Sequence, residues 1–157
     1  MEPRSPAGDI GVSAGPAAHT QEEAMATTTE SVLQAKGIAP SLTVDDLDRS
    51  IRFYEGLGFA LEDRWEDGGK LLGVMLRAGD AHLGLSQDDW KKGKNRVKGL
   101  GLRLWISTNQ DTDELAKRAK AAGIILTREP YDEWGSHAFD VIDPDGFLVT
   151  ISKDSPK

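Results

Sequence analysis

His82, Arg103 and Trp105 are the side chains of this sequence best equipped to act on a small molecule. An imidazole takes or gives a proton near neutral pH. A guanidinium holds a carboxylate or phosphate through paired hydrogen bonds. An indole stacks on a flat ring. Each also has a plainer role: His82 as a hydrogen-bonded structural residue, Arg103 as the partner of an internal acid or a rim cation, Trp105 as a core or dimer-interface residue. His137 falls near a strand start and His19 in the N-terminal stretch, and neither suggests catalysis. The chain has no Cys, so thiolate catalysis and a disulfide framework are excluded. It holds no Ser-His-Asp constellation, phosphate-binding Gly loop or paired zinc motif.

Strand alternation decides what could surround these three, because residues two apart share a sheet face. In the strands read near 38–44, 81–87, 100–106 and 147–152, one face is apolar: Leu42 and Val44; Leu83 and Leu85; Leu102, Leu104 and Ile106; Phe147, Val149 and Ile151. The other face carries Ala39, Ser41 and Thr43, then His82, Gly84 and Ser86, then Gly101, Arg103 and Trp105, then Leu148, Thr150 and Ser152. A small, polar face bearing one imidazole, one guanidinium and one indole reads as a ligand cavity. Its candidate binding residues are Ser41, Thr43, His82, Ser86, Arg103, Trp105 and Thr150, with His82 the one weak candidate for catalysis. Trp65, Trp90 and Trp134 each neighbour an acid (Glu66, Asp89 and Glu133), a pairing that suits a flat cation at a rim but also suits an exposed interface.

These strands belong to a repeat. Residues 38–87 and 100–152 each read as strand, helix and three strands, which predicts an α+β fold. Two βαβββ modules would form a cup-like curved mixed sheet with helices outside. Asp45 or Asp46 caps the first helix, whose Leu47, Ile51, Tyr54 and Leu57 share a face, and Gly56 or Gly58 ends it. Asp111–Glu114 reads as a capping box for the second, which turns Leu115, Ala119 and Ala122 inward and stops at Gly123. Gly79-Asp80 and Asp143–Gly146 read as turns.

The folded domain spans 36–153, with a C-terminal tail at 154–157. Residues 1–35 read as a disordered tail of Ala, Gly, Pro, Ser, Thr and Glu without apolar periodicity. Within it, Met25 is an alternative start, which leaves the translation of residues 1–24 open. Net charge is −7, and residues 1–35 hold five acids and one base, leaving the rest at 21 acids and 18 bases. Such a domain has no electrostatic reason to bind nucleic acid. The basic run Lys91–Lys98 reads as a solvated linker. No apolar run is long enough for a membrane span and no secretory signal opens the chain, so a cytoplasmic location is expected.

The stretch LTVDDLDRSIRFYEGLGF at 42–59 resembles the entry motif of the vicinal oxygen chelate superfamily, which includes glyoxalase I, extradiol dioxygenases, fosfomycin resistance enzymes and bleomycin-resistance proteins. FDVIDPDGFLVTI at 139–151 resembles its exit motif. The resemblance covers residues 37–153 and implies the fold described above. Metal enzymes of the family place His, Glu or Gln ligands at positions that fall here on Ala39, Gly84, Gly101 and Thr150. Those residues are a degenerate set, since a divalent cation needs three or four strong donors. The resemblance therefore implies a binding protein of the bleomycin-resistance type, with no cofactor, that sequesters a planar organic molecule or drug and pairs as a homodimer. The alternatives are a glyoxalase-like lyase or isomerase, metal-dependent or assisted by His82, and a sensing or antitoxin-like module.

Overall fold

A computed structural model describes residues 29–155. The expected N-terminal tail lies outside the described residues up to residue 28, as do the last two residues of the expected C-terminal tail. The first module runs β1 (Ser41–Val44), α1 (Leu47–Leu57), β2 (Ala60–Asp67), β3 (Lys70–Ala78) and β4 (Ala81–Gln87). The second runs β5 (Arg103–Ser107), α2 (Thr112–Ala121), β6 (Leu126–Glu133), β7 (Ser136–Ile142) and β8 (Leu148–Asp154). Each module makes its own four-stranded mixed sheet, ordered β1-β4-β3-β2 and β5-β8-β7-β6. In each, the first strand runs parallel to the last and the other pairs are antiparallel. The two sheets share no hydrogen-bonded strand pair, so the βαβββ repeat holds while the combined sheet stays open.

Local chemistry accounts for the helices. Asp46 caps α1 by accepting from the Arg49 amide, and Gly58 ends it at φ 112°. That conformation costs a residue with a Cβ, which is why glycine stands there. Asp111 caps α2 by accepting from the Asp113 and Glu114 amides. The reciprocal half of a capping box is not made, because Glu114 pairs with Lys117 instead. The buried stripe of α2 is Thr112, Ala116 and Ala119, and Ala122, expected to face inward, is exposed. The helix ends at Ala121, so Ala122 leaves the stripe.

Two strand expectations also need correction. The first strand begins at Ser41 rather than Ile38, since Pro40 has no amide to give, although its carbonyl accepts from Gly84. Leu102, expected in the core, is 41% exposed because it precedes β5.

Leu42, Val44, Val74, Leu76, Leu83 and Leu85 of the first sheet and Leu104, Phe139, Val141, Val149 and Ile151 of the second join the helices in one core cluster. The helices meet one another, with Gly56 of α1 close against Ile124 and Ala122 beyond α2. Ionic and hydrogen-bonded contacts then lock module to module. The Tyr54 hydroxyl, fully buried in α1, donates to Asp143 Oδ2 at 2.7 Å. The other oxygen of Asp143 accepts from the amides of Asp145 and Phe147 at 2.9 Å each. Asp145 in turn accepts from the Asp45 amide at 2.8 Å. Burial, and then the Asp143 charge, push the Tyr54 pKa up, so its proton stays on the phenol.

The connecting segment 88–102 is fastened as well. Lys98 is held between Asp45 and Asp88, its ammonium 2.8 Å from Asp88 and 5.2 Å from the centre of the Trp90 ring. The hydrogen bond from Lys98, helped by the Trp90 amide and Arg96, holds the Asp88 carboxyl down to about 2. Gly99 packs its α-carbon against the Gly146 carbonyl so closely that a Cβ would fall 2.2 Å from that oxygen. A side chain at residue 99 would therefore prise the linker off the Asp143–Gly146 turn. The basic run expected to be solvated thus contains one cation, Lys98, that is nearly buried.

Tyr54→Phe should destabilise the domain by about 1–3 kcal/mol, because it leaves a buried carboxylate short of a donor. A urea titration checks this, and an unchanged midpoint would mean that the clasp is not structural. A pH effect is expected at His137, whose two ring nitrogens lie 2.8 Å from Asp113 and 2.7 Å from Asp132. Those hydrogen bonds, Asp113 first, raise its pKa above the ordinary 6.5. The stabilisation is then complete below 6.5 and is lost as pH climbs through the raised value. His137→Gln should therefore lower the urea midpoint more at about pH 5.5 than at about pH 9. Equal losses at both would show that the imidazole does not titrate in this pair.

Candidate functional site

The faces of the two sheets that turn away from the helices hold the residues expected to bind a ligand. Ser41, Thr43, His82 and Ser86 belong to the first sheet, and Arg103, Trp105 and Thr150 to the second. A groove of about 260 Å³ brings His82, Arg103 and Trp105 together, lined also by Pro40, Phe59 and Leu83. The whole of β5 borders it, since β5 is an edge strand with one side unpaired. Ser41 and Ser86 lie outside this groove. Thr43 lines a different cavity of about 270 Å³ beside Gln87 and the basic residues Lys91, Lys92 and Arg96. A third and larger hollow of about 520 Å³ lies by Asp46, Lys70, Asp89 and Trp90 and contains none of the seven candidate binding residues.

His82 is oriented from the edge strand β2 of its own module. The β2–β3 register slips between Leu61 and Asp63, and the displaced Glu62 reaches His82 Nε2 at 3.2 Å. A bulge of this kind re-aims one side chain without breaking the sheet. Trp105 is 45% exposed and offers its ring to the groove, with the Arg103 guanidinium carbon 6.0 Å from the ring centre. No described acid pairs with Arg103, so it is a rim cation rather than half of an internal pair.

The tryptophan–acid neighbours do not form a ready cation site. Glu66 is paired with Arg64, Glu133 with Arg128, and Asp89 with Lys91. Trp90 already carries Lys98 over its ring, whereas Trp134 sits at the β6–β7 turn, 90% exposed and at φ 55°.

Thr150 differs most from expectation in its surroundings. It is fully buried on the floor of the second sheet, and its hydroxyl donates to Asp140 Oδ1 at 2.7 Å. The Tyr131 hydroxyl donates to the same oxygen at 2.9 Å. Sequence reading missed Asp140, Tyr131 and Glu62. Alternation along β7 carried the signal for Asp140, since Phe139 and Val141 point to the core and the acid between them must face the other way. Glu62 gave no such signal, because a bulge is invisible in a period of two.

The positions where the resemblance would put metal ligands do not fit a metal. Ala39 and Gly84 offer no donor, Gly101 lies at φ 71° ahead of β5, and the Thr150 hydroxyl is committed to Asp140. Among the described residues no three His, Cys, Asp or Glu side chains are grouped to hold one.

The sequence model of the Glyoxalase/Bleomycin resistance protein/Dioxygenase superfamily matches residues 34–151. Among curated proteins, none matches. Solved structures of similar fold include a virulence protein from Salmonella typhimurium, 24% identical over 78% of this chain and 98% of its own, with a TM-score of 0.60. TioX from Micromonospora sp. ML1 is 21% identical over 76% of this chain and 99% of its own, at 0.62. A glyoxalase/bleomycin resistance protein/dioxygenase from Alicyclobacillus acidocaldarius is 22% identical over 74% and 89%, at 0.57. At these identities the likeness is one of fold.

Purified protein is expected to hold no stoichiometric zinc, iron, manganese or nickel by elemental analysis, and chelation by EDTA should leave its melting temperature unmoved. One equivalent of tightly held metal would mean that the donors lie elsewhere.

Proposed function

The chain belongs to the glyoxalase/bleomycin resistance protein/dioxygenase superfamily, and we propose that it is a binding member that sequesters a planar organic molecule without altering it. The observation that supports this most is the pairing of a ready ligand face with an absent metal set. Trp105 and Arg103 stand half-open on an apolar groove, while Ala39, Gly84 and Gly101 supply no donor. Stacking on Trp105 gives affinity for a flat ring, and Arg103 sets the charge preference. A fold of this kind hosts many activities, so the site decides.

Glu62 favours one second reading, an isomerase or lyase assisted by His82. A carboxylate 3.2 Å from Nε2 would fix the imidazole's orientation for proton transfer at the groove. Turnover abolished by His82→Ala, with binding retained, would establish it.

The open faces are proposed to close by pairing of two chains. Trp65, Leu72, Trp105 and Ile142 are large apolar side chains left more than two-fifths exposed, and β1 and β5 are free edges. We place the protein in the cytoplasm, bound to neither nucleic acid nor membrane; no helix among the described residues is long and apolar enough to cross one.

Trp105→Ala should weaken binding of any retained aromatic by about 1–3 kcal/mol. Arg103→Ala should weaken an anionic ligand comparably and leave a cationic one unchanged or tighter. Isothermal titration against a panel of anionic and cationic aromatics measures both, and if neither variant alters any affinity, the groove is not the site. Analytical ultracentrifugation at micromolar concentration should give about twice the 17.0 kDa chain mass, and a clean monomer would rule pairing out.

A further inference from the structure

The second sheet carries an acid on its inner strands, Asp140, that no described cation is bonded to. Its face away from α2 shows one register row running Trp105, Thr150, Asp140 and Arg128 across β5, β8, β7 and β6. The row beside it runs Ser107, Ser152, Ala138 and Tyr131. The middle of both rows is buried and the ends are exposed or half-buried, with the indole of Trp105 at one end and the phenol of Tyr131 at the other.

Asp140 lies in that buried middle, 7% exposed. Arg128 is its register partner but is turned elsewhere: the guanidinium stacks 3.5 Å over the Tyr131 ring and bonds Glu133 at 2.9 Å. Among the described residues no cationic nitrogen lies within 4.0 Å of the Asp140 carboxylate. Two hydroxyls, from Thr150 and Tyr131, donate to Oδ1 and none donates to Oδ2. An ionised carboxylate accepts at about four positions, so half its capacity is unused. Beside it, the Ser152 hydroxyl is buried with no partner at all. Buried polar groups are seldom left so poorly satisfied. Hydroxyl donors fix the carboxylate, and the Arg128 guanidinium acts on it only through space, which leaves an acceptor with no bonded cation two strands, or about 10 Å, from the Trp105 strand.

We propose that Asp140 is the specificity-determining group of this face, accepting a hydrogen bond from a cationic N–H of a flat aromatic ligand that stacks on Trp105. Thr150 and Tyr131 are positioning residues that hold the carboxylate ready. The proposal rests on the binding reading above and adds the ligand's class to it: an aromatic amine or amidine, held by a charge-assisted hydrogen bond. Arg103, at the rim, is then a charge that such a ligand must avoid.

Two acridines with one ring system and opposite charge test this on the full chain by isothermal titration: 9-aminoacridine and acridine-9-carboxylate. The wild type should bind 9-aminoacridine at least tenfold more tightly than the carboxylate. Asp140→Asn, nearly isosteric, should abolish that preference by weakening the amine tenfold or more and leaving the carboxylate unchanged or tighter. Thr150→Val and Tyr131→Phe should each give a smaller loss in the same direction. The wild-type comparison needs no variant, so a poorly folded Asp140→Asn does not excuse the proposal. If the two acridines bind alike, or if folded Asp140→Asn keeps the preference, Asp140 does not read the ligand, and a Trp105→Ala loss on both acridines would leave the groove reading standing. If the wild type binds neither acridine, the proposal is overturned, and if it also binds nothing in the wider aromatic panel, the binding reading falls with it.

Discussion

A single buried hydrogen bond, from Tyr54 on the first helix to Asp143 at the turn before the last strand, sets the relation between the two modules. The two residues are far apart in sequence, and each lies in a stretch that would otherwise belong wholly to its own repeat. The bond is made in apolar surroundings, where an unpartnered phenol or carboxylate is expensive, so it tolerates little rearrangement. Asp143 also draws in the backbone of its own turn, and Asp145 next to it takes the Asp45 amide at the mouth of the first helix. Once that turn is fixed, the linker must pass over it, which only a glycine at 99 allows. Lys98 then drops between Asp45 and Asp88 and closes the linker down.

That arrangement decides which faces of the sheets stay available. The apolar faces meet the helices, and the helices meet each other, so the shared core lies on the helical side. The opposite faces pack against no helix, and they are where small and polar residues were placed by alternation. A pair of modules joined through helices and a turn, rather than through a strand ladder, can carry its ligand faces outward. Closing them is the role proposed for a ligand or a second chain. The exposed indoles at Trp65 and Trp105 are what such a face would bury.

Much of this was legible in the sequence because it rests on short-range chemistry. The helix caps at Asp46 and Asp111, the Gly58 stop and the Asp143–Gly146 turn all follow from one residue and its neighbours. The face assignments of β1, β4 and β8 followed from a period of two. What alternation cannot supply is the placing of one face against another. Ser41, Thr43, Ser86 and Thr150 share the expected faces but not the groove that joins His82, Arg103 and Trp105, because the sheets do not merge into one. Leu102 and Ala122 failed for a related reason: each lies one residue beyond an element, where periodicity no longer constrains direction. Glu62 was hidden by a register shift and Lys98 by tertiary pairing with two acids.

The second sheet keeps a buried polar floor where the metal donors that the family resemblance implies are missing. Thr150 stands where the family resemblance would put a ligand, yet the oxygen chemistry at that level of the sheet has not vanished. An oxygen acceptor lies one strand across, at Asp140, which the Thr150 hydroxyl supports. A lone carboxylate with two hydroxyl donors cannot replace three or four metal ligands. It can hold a fixed negative charge on a buried polar floor, where an electrostatic preference is stronger than at a solvated rim. Register places Thr150 between Trp105 and Asp140. Alternation along β5, β8 and β7 thus sets the indole of Trp105, the hydroxyl of Thr150 and the carboxylate of Asp140 on one face.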